Sequence, residues 1–274
     1  FEVTPDGQTL VRAFDLTDEA TTGAVNDEPT GIAYDAENDR FYISNDNTES
    51  IFSYQLQGDT FVVEDEIGID DFPPNLPGVT GDFEGISINP NTGLIYSVDG
   101  SGQAVVVLEY QNNSFQFVHS FELNTAEETF VSDPEGMAVD PTTGNLFVVS
   151  EVDEIIAEFT AEGNFIREYP LGNLNPAQIA AQGLTFAPPS DNSDQSFSSL
   201  YIADARVDNN DDPNERDGRV YEASLATPDD EEGDDASVPV FGSPVDDTLE
   251  AGIDFDGAGN LVFTGRGEDS VFAS

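Results

Sequence analysis

Pro134-Glu135-Gly136-Met137-Ala138-Val139-Asp140 is followed by Pro141-Thr142-Thr143-Gly144-Asn145 and then by Leu146-Phe147-Val148-Val149-Ser150-Glu151. It reads as an apolar strand, a tight turn and a second apolar strand ending in an acid. Pro and Gly stand where β-turns favour them. The phrase recurs along the chain. Its anchor glycine appears as Gly31-Ile32-Ala33-Tyr34-Asp35, Gly85-Ile86-Ser87-Ile88-Asn89, Gly136-Met137-Ala138-Val139-Asp140, Gly183-Leu184-Thr185-Phe186-Ala187 and Gly252-Ile253-Asp254-Phe255-Asp256. The intervals are 54, 51, 47 and 69 residues. Repeats of roughly 40–50 residues with several short strands each point to propeller blades rather than helical solenoids.

Each unit parses into four strands, A to D. In the third, A covers 136–140, B 146–150, C 154–160 and D 165–169. The B strands, such as Phe41-Tyr42-Ile43, Leu94-Ile95-Tyr96 and Leu200-Tyr201-Ile202, are continuous apolar runs, as in strands covered on both faces. The last unit offers A (252–256), B (261–264) and C (270–273), then stops. An unassigned strand at 9–16 resembles the D strands and is expected to complete that last blade, removing an open sheet edge. The expectation is an all-β, single-domain propeller over 1–274. It has five four-stranded blades, with six as the alternative, and its ring is closed by the N-terminal strand.

Composition narrows the function. The chain carries 56 acids against seven Arg and no Lys, for a net charge of −49. Nucleic acid and anionic membranes bind through Lys and Arg, so neither is an expected partner. The field attracts cations and suits a saline medium in which screening removes much of the self-repulsion. Hydrophobic residues make up 38%, enough for a large core. No apolar run approaches the ~18 residues of a membrane-spanning helix. Phe1 in place of Met suggests a processed form or an excised domain. With no cysteine, disulfides, thiolate metal sites and thiol nucleophiles are excluded. A domain of this size does not need disulfides, so a secreted or cell-surface location stays open.

In a propeller the A strands line the channel, and the starts of A and ends of B meet at one mouth. Four of the five blades there aim Glu84, Glu135, Asp99, Glu151, Asp46, Asn45 and Asp204 at one rim, with Gln182 beside them, and the fifth adds Glu250. Carboxylate and amide oxygens are the ligands Ca²⁺ takes, six to eight at a time. Ca²⁺ is therefore the expected cation. A second acidic stretch, with Asp208, Asp211, Asp212 and Asp217, suits cation ligation but lacks the regular calcium-loop spacing. The competing explanation for both is a surface that is acidic everywhere.

His119, the single histidine, falls in an outer D strand, so a Ser-His-Asp triad is not expected. The absence of Lys removes Schiff-base chemistry. Metal-assisted hydrolysis remains: a rim cation polarising an ester, lactone or phosphate oxygen, Arg206 or Arg266 holding the anion, and a carboxylate acting as base. The residues leave two readings open. One is a binding or scaffold module for a protein, an extracellular matrix component or a small molecule. The other is a metal-dependent hydrolase.

The phrase Pro-x-Gly-Ile/Met-Ala-x-Asp, carried by 29–35 and 134–140 and extended over 133–151, resembles the NHL-type repeat. It is similar also to the gluconolactonase-like and esterase-like phytase propellers. The resemblance implies the propeller fold over nearly the whole chain. The gluconolactonase-like enzymes hold a divalent cation in the channel with Glu, Asn and Asp. Glu84 or Glu135, Asn45, and Asp204 or Asp99 are the positions that match.

Overall fold

The computed structural model describes residues 2–3, 10–16, 26–125, 129–171, 180–189, 198–204, 219–223, 238–242, 253–255 and 261–263. In chain order, β1 (Glu2–Val3) and β2 (Leu10–Arg12) precede four blades. The first blade is β3 (Pro29–Asp35), β4 (Arg40–Asn45), β5 (Ser50–Gln57) and β6 (Thr60–Gly68). The second is β7 (Phe83–Ile88), β8 (Ile95–Asp99), β9 (Ala104–Gln111) and β10 (Ser114–Glu122). The third is β11 (Pro134–Val139), β12 (Leu146–Ser150), β13 (Ile155–Phe159) and β14 (Phe165–Pro170). The fourth is β15 (Ala181–Ala187), β16 (Ser199–Asp204), β17 (Arg219–Ala223) and β18 (Val238–Gly242), and β19 (Ile253–Phe255) and β20 (Leu261–Phe263) end the described chain. Each blade is an antiparallel meander of four consecutive strands. A 3-10 turn forms at Ile69–Asp71, after the first blade.

A fifth four-stranded sheet is built from both chain ends in the order β19-β20-β1-β2. Its strands pack against β15 on one side and β3 on the other. This corrects the expected closure in one respect. The N-terminal region supplies two strands, with β1 pairing with β20 and β2 pairing with β1, rather than one D strand over 9–16. Glu2–Val3 thus takes the place expected for 270–273, which lies outside the described residues.

The core lies between blades. Ala33, Tyr42, Ile51 and Ile67 of the first blade meet Phe83, Ile86, Ile95, Val106 and Leu108 of the second. Val98, Val105 and Val107 of the second meet Met137, Val139, Leu146 and Val148 of the third. Phe147 and Val149 of the third meet Leu184, Leu200 and Ile202 of the fourth. A B strand is therefore sandwiched, and all five residues of β8 and of β12 are buried. That explains their unbroken apolar runs. At the start of β4, Arg40 stacks 4.2 Å over the Tyr110 ring of the next blade. Its Nη1 is 2.6 Å from Glu64 and donates to Ser53 Oγ at 2.9 Å.

Toward the axis, side chains give way to backbone. A Cβ on Gly31 would stand 2.5 Å from the Glu84 carbonyl oxygen, one on Gly85 2.4 Å from the Met137 nitrogen, and one on Gly136 2.4 Å from the Gln182 oxygen. The anchor glycine exists because each A strand runs against the backbone of the next. Gly85→Ala and Gly136→Ala should each cost about 3 kcal/mol or more, the upper end of overpacking, because backbone cannot step aside. Gly93→Ala, with nothing within 4 Å but φ at +73°, should cost only about 1 kcal/mol. Urea unfolding midpoints at unchanged m-value would measure both.

Candidate functional site

Every contiguous blade carries a one-residue bulge where its A strand begins. Pairing steps from Phe83↔Asp99 to Ile86↔Ser97, from Pro29↔Asn45 to Ile32↔Ile43, from Pro134↔Ser150 to Met137↔Val148, and from Ala181↔Asp204 to Gly183↔Ala203. The extra residue sits just before the anchor glycine, at Thr30, Glu84, Glu135 and Gln182. A bulge re-aims the side chain it carries. Thr30 spends its hydroxyl on the ring, donating to the Phe83 carbonyl at 2.6 Å. Glu84 and Glu135 bring carboxylates to the same level of the mouth.

Asp46, Asp82 and Glu84 form a cluster in which one oxygen of each lies within 4.8 Å of the others. Asp46 follows β4 in the first blade, and Asp82 and Glu84 flank Phe83 at the start of β7 in the second. All three are half-buried. Burial, then Glu135, Asp82, Asp46 and Asp133, push the Glu84 carboxyl up to about 9. Asp46 is pushed up to about 6 by burial and by Asp82 beside it. Burial also works to raise Asp82. The bonds it accepts from the Asp46 carboxyl and from the Ser101 hydroxyl and N–H outweigh that and hold it low. Below about pH 6, then, Asp46 holds a proton against ionised Asp82, and Glu84 keeps its own up to about 9. Between the third and fourth blades Glu151 is raised by burial, Asp133 and Asp204.

The structure sorts the expected rim ligands. Glu84 and Asp46 come together. Glu135 stands close enough to be felt by Glu84, whereas the carboxylates that Glu151 feels are Asp133 and Asp204. Asp99, Asn45 and Asp204 do not join the cluster, because each is buried at the last position of a B strand and bonded to a loop. Asp99 accepts from Thr80 N–H at 2.6 Å, Thr80 Oγ1 at 2.7 Å, Gly81 N–H at 2.8 Å and Gly102 N–H at 2.7 Å. The Asn45 amide donates to Asn26 Oδ1 at 2.6 Å, and its oxygen accepts from Thr48 N–H and Oγ1. Asp204 accepts from Ala180 N–H at 2.9 Å. Gln182 Oε1 is buried without a hydrogen-bond partner. Arg206, Arg266, Asp208, Asp211, Asp212 and Asp217 lie outside the described residues.

Asp82 is the member that sequence reasoning missed. The signal was present, since Asp82-Phe83-Glu84-Gly85 matches Asp133-Pro134-Glu135-Gly136. Only position 46 breaks the symmetry between the two copies. The residue that follows strand B in the preceding blade is Asp46 for the first copy and Gly100 for the second. A Cβ at Gly100 would stand 3.1 Å from both Asp82 Oδ2 and Glu84 Cγ. A three-carboxylate group therefore forms at the junction of the first two blades.

Residues 11–155 match the family described as SdiA-regulated. No curated protein matches the chain. Many solved structures are similar to it, three of them as follows. A functionally unknown protein from Desulfotomaculum acetoxidans is 17% identical with a TM-score of 0.40, over 53% of this chain and 44% of its own. A putative 6-phosphogluconolactonase from Bacteroides fragilis is 11% identical with a TM-score of 0.40, over 54% and 40%. A chain of a nidogen/laminin complex is 17% identical with a TM-score of 0.42, over 71% and 59%. The match thus spans 40% to 59% of the length of those chains.

The raised carboxyls set a pH dependence. Between the ordinary Glu value of 4.5 and about 9, the folded chain keeps the Glu84 proton that the unfolded chain has released. Stability must therefore fall as pH rises through that window. Asp46 adds to the fall between its ordinary 3.8 and about 6. Asp82, held low, acts in the opposite sense only at the acid end. In chelator at constant ionic strength, the melting temperature should drop from pH 5 to pH 9. Glu84→Gln should flatten the slope, as thermal scans at each pH would show.

Proposed function

We propose that this chain, which belongs to the SdiA-regulated family of β-propeller type, is a calcium-binding propeller whose mouth holds the ion between its first two blades. The observation that carries the reading is the convergence of Asp46, Asp82 and Glu84 from two blades onto one point. Hard oxygen donors at that spacing suit Ca²⁺, which also accepts water and amide oxygens in an irregular shell. Glu84, and below about pH 6 Asp46, retain protons when alone, and a cation would let them ionise alongside Asp82. Glu135 and Glu151 extend the negative field around the mouth and draw cations toward it.

The role that follows is a binding or scaffold module, secreted or at the cell surface, in a saline medium. The charge of −49 supports the setting, and the lack of Lys and Cys with a single outer His supports binding over nucleophilic catalysis. Its ligand is a protein, a matrix component or a small molecule that completes the shell of the ion. In this reading the end sheet β19-β20-β1-β2 serves as the fifth blade and closes the ring between β15 and β3.

One observation favours a second reading. Glu84, raised to about 9, is an acid that keeps its proton at neutral pH beside ionised neighbours, an arrangement common in hydrolytic sites. A metal-dependent lactonase, esterase or phosphoesterase would use the ion to polarise the substrate carbonyl or phosphoryl oxygen. Arg206 and Arg266 would then be the anion holders.

Added Ca²⁺ should raise the melting temperature of chelated protein in low-salt buffer and release protons on binding near pH 7. The double change Asp82→Asn with Glu84→Gln should abolish both effects, and an unchanged calcium response in that variant would sink the assignment. Melting temperature should also climb between 0.1 and 1 M NaCl, as the screening length falls from about 10 to about 3 Å. Turnover of lactone, aryl ester or phosphoester substrates, lost in Glu84→Gln, would select the hydrolase.

A further inference from the structure

At the end of each B strand, or in the turn just after it, a side chain fastens the loop that leads into strand A of its own blade, and the fastening differs between blades. In the first blade Asn45 holds Asn26, three residues ahead of β3. In the third, Asp153 accepts from Ser132 N–H at 2.6 Å, Ser132 Oγ at 2.9 Å and Ser150 Oγ at 3.0 Å. In the second, Asp99 takes four hydrogen bonds, from Thr80, Gly81 and Gly102, while fully buried. Thr80 again stands three residues ahead of its A strand, and Asp99 pairs with Phe83, the first residue of that strand. Of these three fastened loops, the one held by Asp99 runs directly into Asp82 and Glu84.

We propose that Asp99 is a positioning residue for the cation site: it touches no ion and sets the loop that delivers Asp82. This rests on the calcium reading above. All four bonds point into the carboxylate, so both of its oxygens must accept. An amide at position 99 would turn an NH₂ toward one pair of donors and release that side of the loop. The first blade shows how an amide becomes acceptable here, since Asn45 has Asn26 to receive its NH₂. Thr80 occupies the place of Asn26. Transplanting the first blade's pair, Thr80→Asn with Asp99→Asn, should therefore restore what Asp99→Asn alone disrupts.

Terbium luminescence on the full chain provides the test, with Ca²⁺ competition giving affinity and lifetimes in H₂O and D₂O giving the waters on the ion. Asp99→Asn should bind about 10- to 100-fold more weakly, the usual loss when a group behind a ligand is removed. It should also add roughly one water to the ion as Asp82 moves away. The double variant should recover both readings. Asp153→Asn, which loosens a comparable loop in the third blade, should lower the melting temperature yet keep the affinity within about twofold. If Asp99→Asn does not fold, the comparison passes to Thr80→Ala, which removes one of the four bonds and should bind about two- to tenfold more weakly. Unchanged affinity and hydration in the position-99 or position-80 variants would overturn the proposal, and so would an equal loss in Asp153→Asn. A wild-type chain that binds neither Tb³⁺ nor Ca²⁺ would overturn the calcium reading and this inference together.

Discussion

The approach of one A-strand backbone to the next at an anchor glycine is the contact on which the rest of the molecule depends. Gly31 meets the Glu84 carbonyl, Gly85 the Met137 nitrogen and Gly136 the Gln182 oxygen, each too close for a Cβ. Backbone contact at the axis sets how far apart the blades can stand. The interblade layers of Tyr42, Ile86, Val106, Met137 and Leu184 then fill a space of fixed width. Thr30 and Ser44 add hydrogen bonds from the first blade to the carbonyls at 83 and 84 of the second.

The same contact creates electrostatic tension. The bulge beside each glycine turns the preceding residue toward the mouth, and in two blades that residue is Glu. Bringing the backbones together therefore brings carboxylates together, in a chain with seven Arg to offset 56 acids. Arg12, Arg40 and Arg167 are engaged with Glu2, Glu64 and Glu158 away from the cluster. Left to themselves, the carboxyls at the junction of the first two blades answer by keeping protons. In the proposed calcium reading a cation would be the alternative answer, worth most at neutral and higher pH, where retaining those protons is hardest.

Loop fastening belongs to the same design. Asn45, Asp99, Ser150 and Asp204 all end B strands and all are buried. Their residue types, taken alone, look like ligands. Their partners show that they hold loops, and the buried N–H groups they satisfy would otherwise be costly. The turns that follow are also repeated. Glu49, Gln103 and Glu154 have positive φ, and their carbonyls accept from Ile69, Leu123 and Leu171. Those bonds brace the mouth loops against the ends of the D strands and against the segments that follow them.

Much of this was legible in the sequence. The period of the glycines, the turn residues and the continuous apolar B strands determined an all-β propeller, because a strand buried on both faces admits few polar residues. The excess of acid determined the charge of the mouth. What the sequence could not rank was which acids meet. Asp99 closes β8 and Asp46 follows β4 by one residue, yet one is spent largely on backbone N–H groups and the other faces Asp82 and Glu84. Asp82 and Asp133 share a motif, yet the residue across the junction is Asp46 for one and Gly100 for the other. That difference lies between residues 36 and 33 positions apart in the chain, on separate blades. The sequence by itself determined the repeat, the strands and the sign of the field. Only the tertiary structure decided the site, because a bulge, a backbone contact and a neighbouring blade together set which carboxylates converge.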